Sequence, residues 1–278
     1  MRKRRFIQCD VFSPIPTSGN GLAVVLDGDG LSDEQMQQFA AWTNLAETTF
    51  LLPPTDSKAD YRVRIFSTAR EMVFAGHPTL GSCAAWLHDG GVAANKDVVF
   101  QECAIGIVEI DTSENNLAFV APPTKIEILP RSQLTLICET LEIPLEAVVA
   151  SAQLDNGPVW QVLHLSSAEQ VLAVDSAKVR WPESNPVGLV GAHPAGSECD
   201  FEVRMLAPSS GMSEDPITGS LNAALAHWMF SEGVITKAVK VGQGTRINRL
   251  GRVSIIPRDG EILIGGDTHI LIDGYLTL

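Results

Sequence analysis

The sequence predicts an α+β fold of two similar β-rich domains, each wrapped around one buried helix. The first observation behind this prediction is a repeat: the pattern x-x-Pro-x-x-Gly-Ser-x-x-Ala-x-Leu occurs at residues 76–87 and again at 214–225, about half the chain apart. The second is that both copies continue into segments that are apolar nearly all round, which is typical of helices buried inside a domain. The third is that sequence patterns typical of short strands dominate the rest of both halves.

The length and composition agree with two domains. A chain of 278 residues is near the length at which one hydrophobic core stops growing, and 45% hydrophobic with 19% charged residues excludes a disordered protein. We expect the first domain over residues 1–120, completed by a C-terminal strand at about 268–278, and the second domain over residues 121–267. The Pro-rich stretch at 121–124 joins them.

The predicted strands are short, rich in β-branched residues and bounded by Gly, Pro, Asn or Asp, as in an antiparallel or mixed sheet. In the first half they lie at 6–12, 22–26, 48–52, 61–66, 98–103, 105–110 and 117–120. In the second half they lie at 147–150, 160–165, 188–190, 201–206, 252–256, 262–264 and 270–272.

The predicted helices are few. Ser32 with Gln35 three residues later forms a capping box, and Ser132 opens a second amphipathic helix. The two repeat helices are expected at about 78–89 and 217–231 and are the central helices of their domains.

The starts of the central helices are the first candidate for a binding site. We expect proline at the first helical position of each, directly after His77 and after Asp215, which leaves backbone N–H groups unpaired at the positive end of the helix dipole and suits a carboxylate ligand. From the residues alone, Asp215 is also explained as a helix N-cap, and His77 as a histidine bonded to nearby backbone. Gly81 and Gly219, one turn further, indicate close approach by a ligand, by a helix end or by ordinary helix packing.

Glu47 is the candidate for proton transfer. It follows the first helix and enters an apolar strand, with Leu, Ala and Phe among its near neighbours in the sequence. Burial in such surroundings raises the pKa of a carboxyl group towards neutrality, as general acid–base catalysis requires. A glutamate on the surface is the alternative interpretation.

Composition and motifs oppose several classes of partner. The formal net charge of −13 opposes binding along nucleic-acid backbones, and no apolar stretch approaches the ~18 residues that span a membrane. Five scattered cysteines without a C-x-x-C pair and six histidines without ligand spacing indicate reduced thiols and no metal site, and the Gly-rich segments match no nucleotide fingerprint. We therefore expect a cytoplasmic protein with no nucleic-acid or membrane partner, no metal and no cofactor.

Six short motifs follow one another in a specific order: DVF at 10–12, GN at 19–20, NLAETTF at 44–50, FAGHPTLG at 74–81, EDPITGS at 214–220 and IGG at 264–266. Together they resemble the phenazine-biosynthesis (PhzF-like) isomerase family over nearly the whole chain. The resemblance implies a diaminopimelate-epimerase-like fold of two pseudo-symmetric β-barrel-like domains, each wrapped around a central helix. It also implies a homodimer.

The resemblance further implies a cofactor-independent isomerisation of a small carboxylate substrate in a cleft between the domains. Glu47 would be the acid/base residue, assisted by His77 and Asp215. The substrate-binding residues would be Gly76, His77, Gly219 and Ser220.

Two other functions remain open from the sequence. An amino-acid racemase or epimerase of the same fold needs a proton-transferring group on each face of the substrate. Related enzymes place a thiol at each central-helix start, where this chain has Ala75 and Asp215, so a two-thiol mechanism is disfavoured. A non-catalytic protein that binds small carboxylates would not need Glu47.

Overall fold

The computed structural model of the chain describes residues 1–114, 116–178, 186–207 and 213–278. Its strands in chain order are β1 (Lys3–Val11), β2 (Asn20–Val25), β3 (Glu47–Leu52), β4 (Tyr61–Ser67), β5 (Glu71–Met72), β6 (Val98–Cys103), β7 (Gly106–Asp111), β8 (Ala118–Val120), β9 (Lys125–Glu127), β10 (Val148–Asp155), β11 (Val159–Leu165), β12 (Val187–Ala192), β13 (Phe201–Leu206), β14 (Glu214–Asp215), β15 (Val239–Gln243), β16 (Gly251–Arg258), β17 (Glu261–Gly265) and β18 (Thr268–Thr277). The α-helices are α1 (Asp33–Thr43), α2 (Gly76–His88), α3 (Arg131–Leu141), α4 (Ala168–Ala173) and α5 (Gly219–Ser231).

The chain divides into two compact units. Unit 1 consists of Met1–Val120 with Leu263–Leu278, and unit 2 consists of Ala121–Ile262. Unit 2 thus ends at Ile262 and not at 267, because the second part of β17 pairs with β8 of unit 1.

The two units have the same internal strand order. In unit 1 the order β1-β2-β3-β4-β6-β7 has pairings that are antiparallel, parallel, antiparallel, parallel and antiparallel. In unit 2 the order β10-β11-β12-β13-β15-β16 has the same succession of pairings. The repeat seen in the sequence is therefore a repeat of sheet topology, and the fold is the expected α+β fold with two pseudo-symmetric, barrel-like sheets.

Parallel neighbours need a crossover connection, and helices provide it in both units. The helix α1 connects β2 to β3, and α2 lies in the connection from β4 to β6. In unit 2, α4 lies between β11 and β12, and α5 between β13 and β15. The capping box of α1 is present as predicted: Ser32 accepts a bond from the backbone of Gln35, and the Gln35 side chain accepts one from Ser32 N–H.

The central helices are α2 and α5, and most of their residues are buried. The helix α2 begins at Gly76 instead of 78, so Pro78 is its third residue. The helix α5 begins at Gly219 instead of 217, after the N-cap Thr218, so Pro216 precedes it. The prediction of proline at the first helical position is wrong for both helices.

The reason why proline is not the first helical residue differs between α2 and α5. Pro78 sits within the first turn, where a missing N–H costs no helical hydrogen bond. In unit 2, Glu214 and Asp215 pair with β13 as the strand β14, which keeps this segment extended. Asp215 is therefore a strand residue and not the N-cap of α5.

The glycine one turn into α2 is explained by packing within unit 1. A Cβ on Gly81 would lie 2.6 Å from Cδ2 of Leu22 and 2.9 Å from Sγ of Cys9. The close approach is that of α2 to β1 and β2.

In the described part of the chain, no helix is long and apolar enough to cross a membrane.

Candidate functional site

Glu47 follows the end of α1 and is the first residue of β3. The helix ends at Thr43, its C-cap Asn44 has a left-handed conformation (φ 55°), and Glu47 then opens β3 between β2 and β4. Its side chain is 17% exposed. The interpretation as a surface glutamate is therefore wrong, and the carboxyl group is largely removed from water.

A tight turn brings Asn20 to the same place in unit 1. The buried carboxylate of Asp10 accepts hydrogen bonds from the backbone N–H groups of Ser18 (3.0 Å) and Gly19 (2.8 Å). A Cβ on Gly19 would lie 2.3 Å from the carbonyl oxygen of Val11, so only glycine fits. Asn20 then begins β2 with its side chain buried.

His77 links these two residues. It is the second residue of α2, and its side chain is 4% exposed. Its Nε2 lies 3.4 Å from Oε2 of Glu47, and its Nδ1 lies 3.4 Å from Nδ2 of Asn20. Burial lowers the pKa of His77 to about 3, so the ring is neutral at physiological pH.

The arrangement indicates which ring nitrogen carries the proton. With the Asn20 amide donating to Nδ1, the neutral ring has its hydrogen on Nε2, the nitrogen that lies 3.4 Å from Oε2 of Glu47. A partly buried carboxyl group beside a neutral imidazole can take a proton from carbon and return it.

Asp215 in unit 2 lies in a different polar network. Its carboxylate accepts a hydrogen bond from the hydroxyl of Thr218, the N-cap of α5. The side-chain amide of Gln243, at the end of β15, donates to the Thr218 hydroxyl (3.0 Å) and accepts from the Thr218 backbone N–H (3.1 Å). All three side chains are buried.

The remaining predicted binding residues lie in the first turns of the central helices, and all of them are buried. Gly76 and His77 are the first two residues of α2, and Gly219 and Ser220 are the first two of α5. The Ser220 carbonyl accepts from the Asn156 side chain (2.8 Å), whose own oxygen accepts from the indole N–H of Trp160 (3.0 Å).

The structure thus brings Glu47 and His77 together in unit 1 and places Asp215, Gly219 and Ser220 together in unit 2. Sequence reasoning did not assign roles to the polar residues that hold them. These are Asn20, Asn156, Thr218, Asn222 and Gln243. Asn20 and Thr218 lie inside recognised motifs, whereas Gln243 ends β15, where no strand is predicted from the sequence.

The described residues contain no cluster of three or more His, Cys, Asp or Glu side chains that could hold a metal ion. All five cysteines are buried, and burial raises the pKa of the Cys83 thiol to about 12.

The model of a family described as phenazine biosynthesis-like protein matches residues 9–274. Antisense-enhancing sequence 1 of Schizosaccharomyces pombe is 34% identical, covering 99% of each chain. The trans-2,3-dihydro-3-hydroxyanthranilate isomerase of Pseudomonas aeruginosa is 30% identical, covering 90% of this chain and 88% of the relative.

Solved structures share the fold. A phenazine biosynthesis protein of the PhzF family from Bacillus anthracis superposes with a TM-score of 0.84 at 21% identity, with both chains fully covered. A probable proline racemase from Agrobacterium radiobacter has a TM-score of 0.67 at 12% identity, with 99% of this chain and 92% of the other covered. These likenesses are evidence for the fold alone.

Proposed function

The chain belongs to the phenazine biosynthesis-like family, and on this premise we propose that Glu47 is the acid/base residue of a cofactor-independent isomerisation of a small carboxylate. The protein is an isomerase, the class named for several relatives that match most of its length. The proposal concerns the residue that moves the proton and the kind of substrate.

The observation that carries the proposal is the contact between Glu47 and His77. Glu47 Oε2 lies 3.4 Å from a ring that burial keeps neutral, so the imidazole does not neutralise the carboxylate by an ion pair. A carboxylate in this setting keeps its capacity to accept a proton from carbon.

In the proposed step, Glu47 both removes and returns the proton. The Glu47 carboxylate takes a proton from a carbon whose C–H bond is acidified by conjugation with the substrate's unsaturated system. The electron pair of that bond moves into the conjugated system, and the resulting carboxylic acid returns the proton to another carbon. The double bond is shifted, Glu47 is a carboxylate again, and no other reactant is consumed.

We further propose that the first turns of the central helices bind the substrate's polar groups. Gly76 and His77 in α2, and Gly219 and Ser220 in α5, lie where backbone N–H groups lack helical partners. Such N–H groups at the positive end of a helix dipole favour carboxylates. The buried carboxylate of Asp215 would accept a hydrogen bond from a donor group of the substrate.

The thiol mechanism of a racemase has less support in this chain. A thiol exchanges protons with carbon as the thiolate, but burial raises the pKa of Cys9 and of Cys83. The carboxyl group of Glu47 needs no such activation, which supports the isomerase with one acid/base residue.

The test is turnover in deuterated water of trans-2,3-dihydro-3-hydroxyanthranilate and related small unsaturated carboxylates, followed by proton NMR. Glu47→Gln keeps the size of the side chain but removes the acid/base group. We expect it to lower kcat at least about a hundredfold, the lower end of general acid–base contributions.

Glu34→Gln is the matched control, since it makes the same change at an exposed position of α1. The control is expected to retain the wild-type rate. Full activity of Glu47→Gln would show that another group moves the proton.

A further inference from the structure

The side-chain amides next to the N-cap of α5 have orientations fixed by backbone groups. The carbonyl oxygen of Thr218 can only accept, and it lies 2.9 Å from Nδ2 of Asn222, one turn further along α5. Asn222 therefore presents its NH2 group, which also donates to Oε1 of Gln243 (2.9 Å). The Thr218 N–H, which can only donate, points to the same Oε1 (3.1 Å).

This orientation decides the direction of the next hydrogen bond. Because Oε1 of Gln243 is used by two donors, its Nε2 faces the Thr218 hydroxyl oxygen, 3.0 Å away, and donates to it. The hydroxyl has one hydrogen, and its oxygen is already accepting. That hydrogen is therefore left for Oδ2 of Asp215, to which the Thr218 hydroxyl donates.

Unit 1 contains a similar pair with a different acceptor. Gln101 lies on β6, the strand that corresponds to β15 in the repeated topology, and its Nε2 donates to the Thr79 hydroxyl (3.1 Å). The Thr79 hydroxyl donates to the backbone carbonyl of Ala75 (2.9 Å). Each unit thus has a Gln-to-Thr donor pair beside its central helix, and the pair in unit 2 ends on a carboxylate.

We propose that Thr218 and Gln243 are positioning residues for Asp215, which hold its Oδ2 as a hydrogen-bond acceptor in one side-chain rotamer. Neither residue needs to touch the substrate. This inference rests on the proposed function in that Asp215 is taken to meet a donor group of the substrate. Because one oxygen of Asp215 accepts from Thr218, this hydrogen bond restricts the orientation of the carboxylate, including that of its other oxygen.

The test compares crystal structures of the full-length wild type, Thr218→Val and Thr218→Ser. Valine matches threonine in shape but has no hydroxyl, whereas serine keeps the hydroxyl. We expect the Asp215 carboxylate to rotate in Thr218→Val and to stay in place in Thr218→Ser. If Thr218→Val does not fold, Thr218→Ala removes the same hydroxyl with a smaller side chain and carries the same expectation.

Kinetics on trans-2,3-dihydro-3-hydroxyanthranilate give the second readout. A hydrogen bond to a charged group is lost in Thr218→Val, so we expect kcat to fall about tenfold or more, with a smaller change in KM, and Thr218→Ser to restore most of it. Thr236→Val, which makes the same change at an exposed position of unit 2, is the control and should leave kcat within about twofold of wild type.

An unchanged Asp215 rotamer in the hydroxyl-free variant overturns the inference. An equal loss of kcat in Thr236→Val also overturns it, since the loss would then not depend on the hydroxyl beside Asp215. If the wild-type protein does not turn over this compound, the proposed substrate is wrong. The inference about Asp215 is then tested by its rotamer in the crystal structures alone.

Discussion

At the residue scale, two effects compete over the charge of His77. The carboxyl group of Glu47, 3.4 Å away, favours the protonated ring, whereas removal of the ring from water favours the neutral form. Burial wins, and the pKa of His77 falls to about 3. Nδ1 of the neutral ring accepts from Asn20, and Nε2 lies 3.4 Å from Oε2 of Glu47.

The charge state of His77 predicts a pH dependence of stability. The unfolded ring takes up a proton below about pH 6.5, but the folded ring does not until about pH 3, so acid favours the unfolded state within this window. We expect the free energy of unfolding of the wild type to fall, relative to that of His77→Asn, by up to about 1.4 kcal/mol per pH unit below about pH 6.5. Urea unfolding of both proteins at a series of pH values measures this, and a constant difference between them would contradict it.

At the element scale, each unit anchors the strand before its central helix with an arginine–glutamate pair. In unit 2, Arg204 on β13 donates from Nε and Nη2 to both oxygens of Glu214 on β14 (3.0 and 2.6 Å), and the two side chains are 1% and 0% exposed. In unit 1, Arg64 on β4 makes the same paired contact with Glu71 on β5 (2.7 Å each), with 23% and 42% exposed. The pair in unit 2 holds the strand that carries Asp215.

Burial makes the two pairs unequal in energy. Glu214→Gln leaves the Arg204 charge buried without its carboxylate, and we expect it to lower the free energy of unfolding by about 3–5 kcal/mol. Glu71→Gln, the matched control from the other half of the repeat, is expected to cost about 1 kcal/mol or less, because water solvates Arg64 in its place. Urea denaturation of the two variants measures both values, and equal costs would contradict the role of burial.

At the scale of the whole molecule, unit 1 is built from both ends of the chain. The strand β18 pairs with β1 along its length, and Arg2 and Leu278 exchange two backbone hydrogen bonds (2.8 and 3.1 Å). Unit 2 is one continuous segment. The homodimer implied by the family resemblance stays a prediction, which light scattering of the purified protein checks.

The chain connectivity predicts different behaviour of the two units in isolation. A fragment of residues 121–262 contains every strand of its repeated sheet order, so we expect it to unfold cooperatively in urea. A fragment of residues 1–120 lacks β18, which leaves β1 with one neighbour in place of two, and we expect no cooperative transition. Circular dichroism during urea titration measures both, and a cooperative transition of residues 1–120 alone would contradict the expectation.

The sequence by itself determined the repeat, the buried central helices and the family. A helix that is apolar nearly all round has this pattern in its own residues, as the segments around Leu80 and Leu221 show. Its burial can therefore be predicted from the local sequence. The capping box at Ser32 is local in the same sense. The helix starts were predicted less well, because β14 pairs with a strand that the local sequence around Pro216 does not reveal.

Only the tertiary structure decided which side chains hold the candidate catalytic groups and which charge His77 carries. Asn20 meets His77 across 57 positions of sequence, and Gln243 meets Thr218 across 25. Such contacts depend on strand order and register, which no local periodicity encodes. The charge of His77 depends in turn on burial by the whole unit, so it is a property of the fold and not of the motif in which the residue stands.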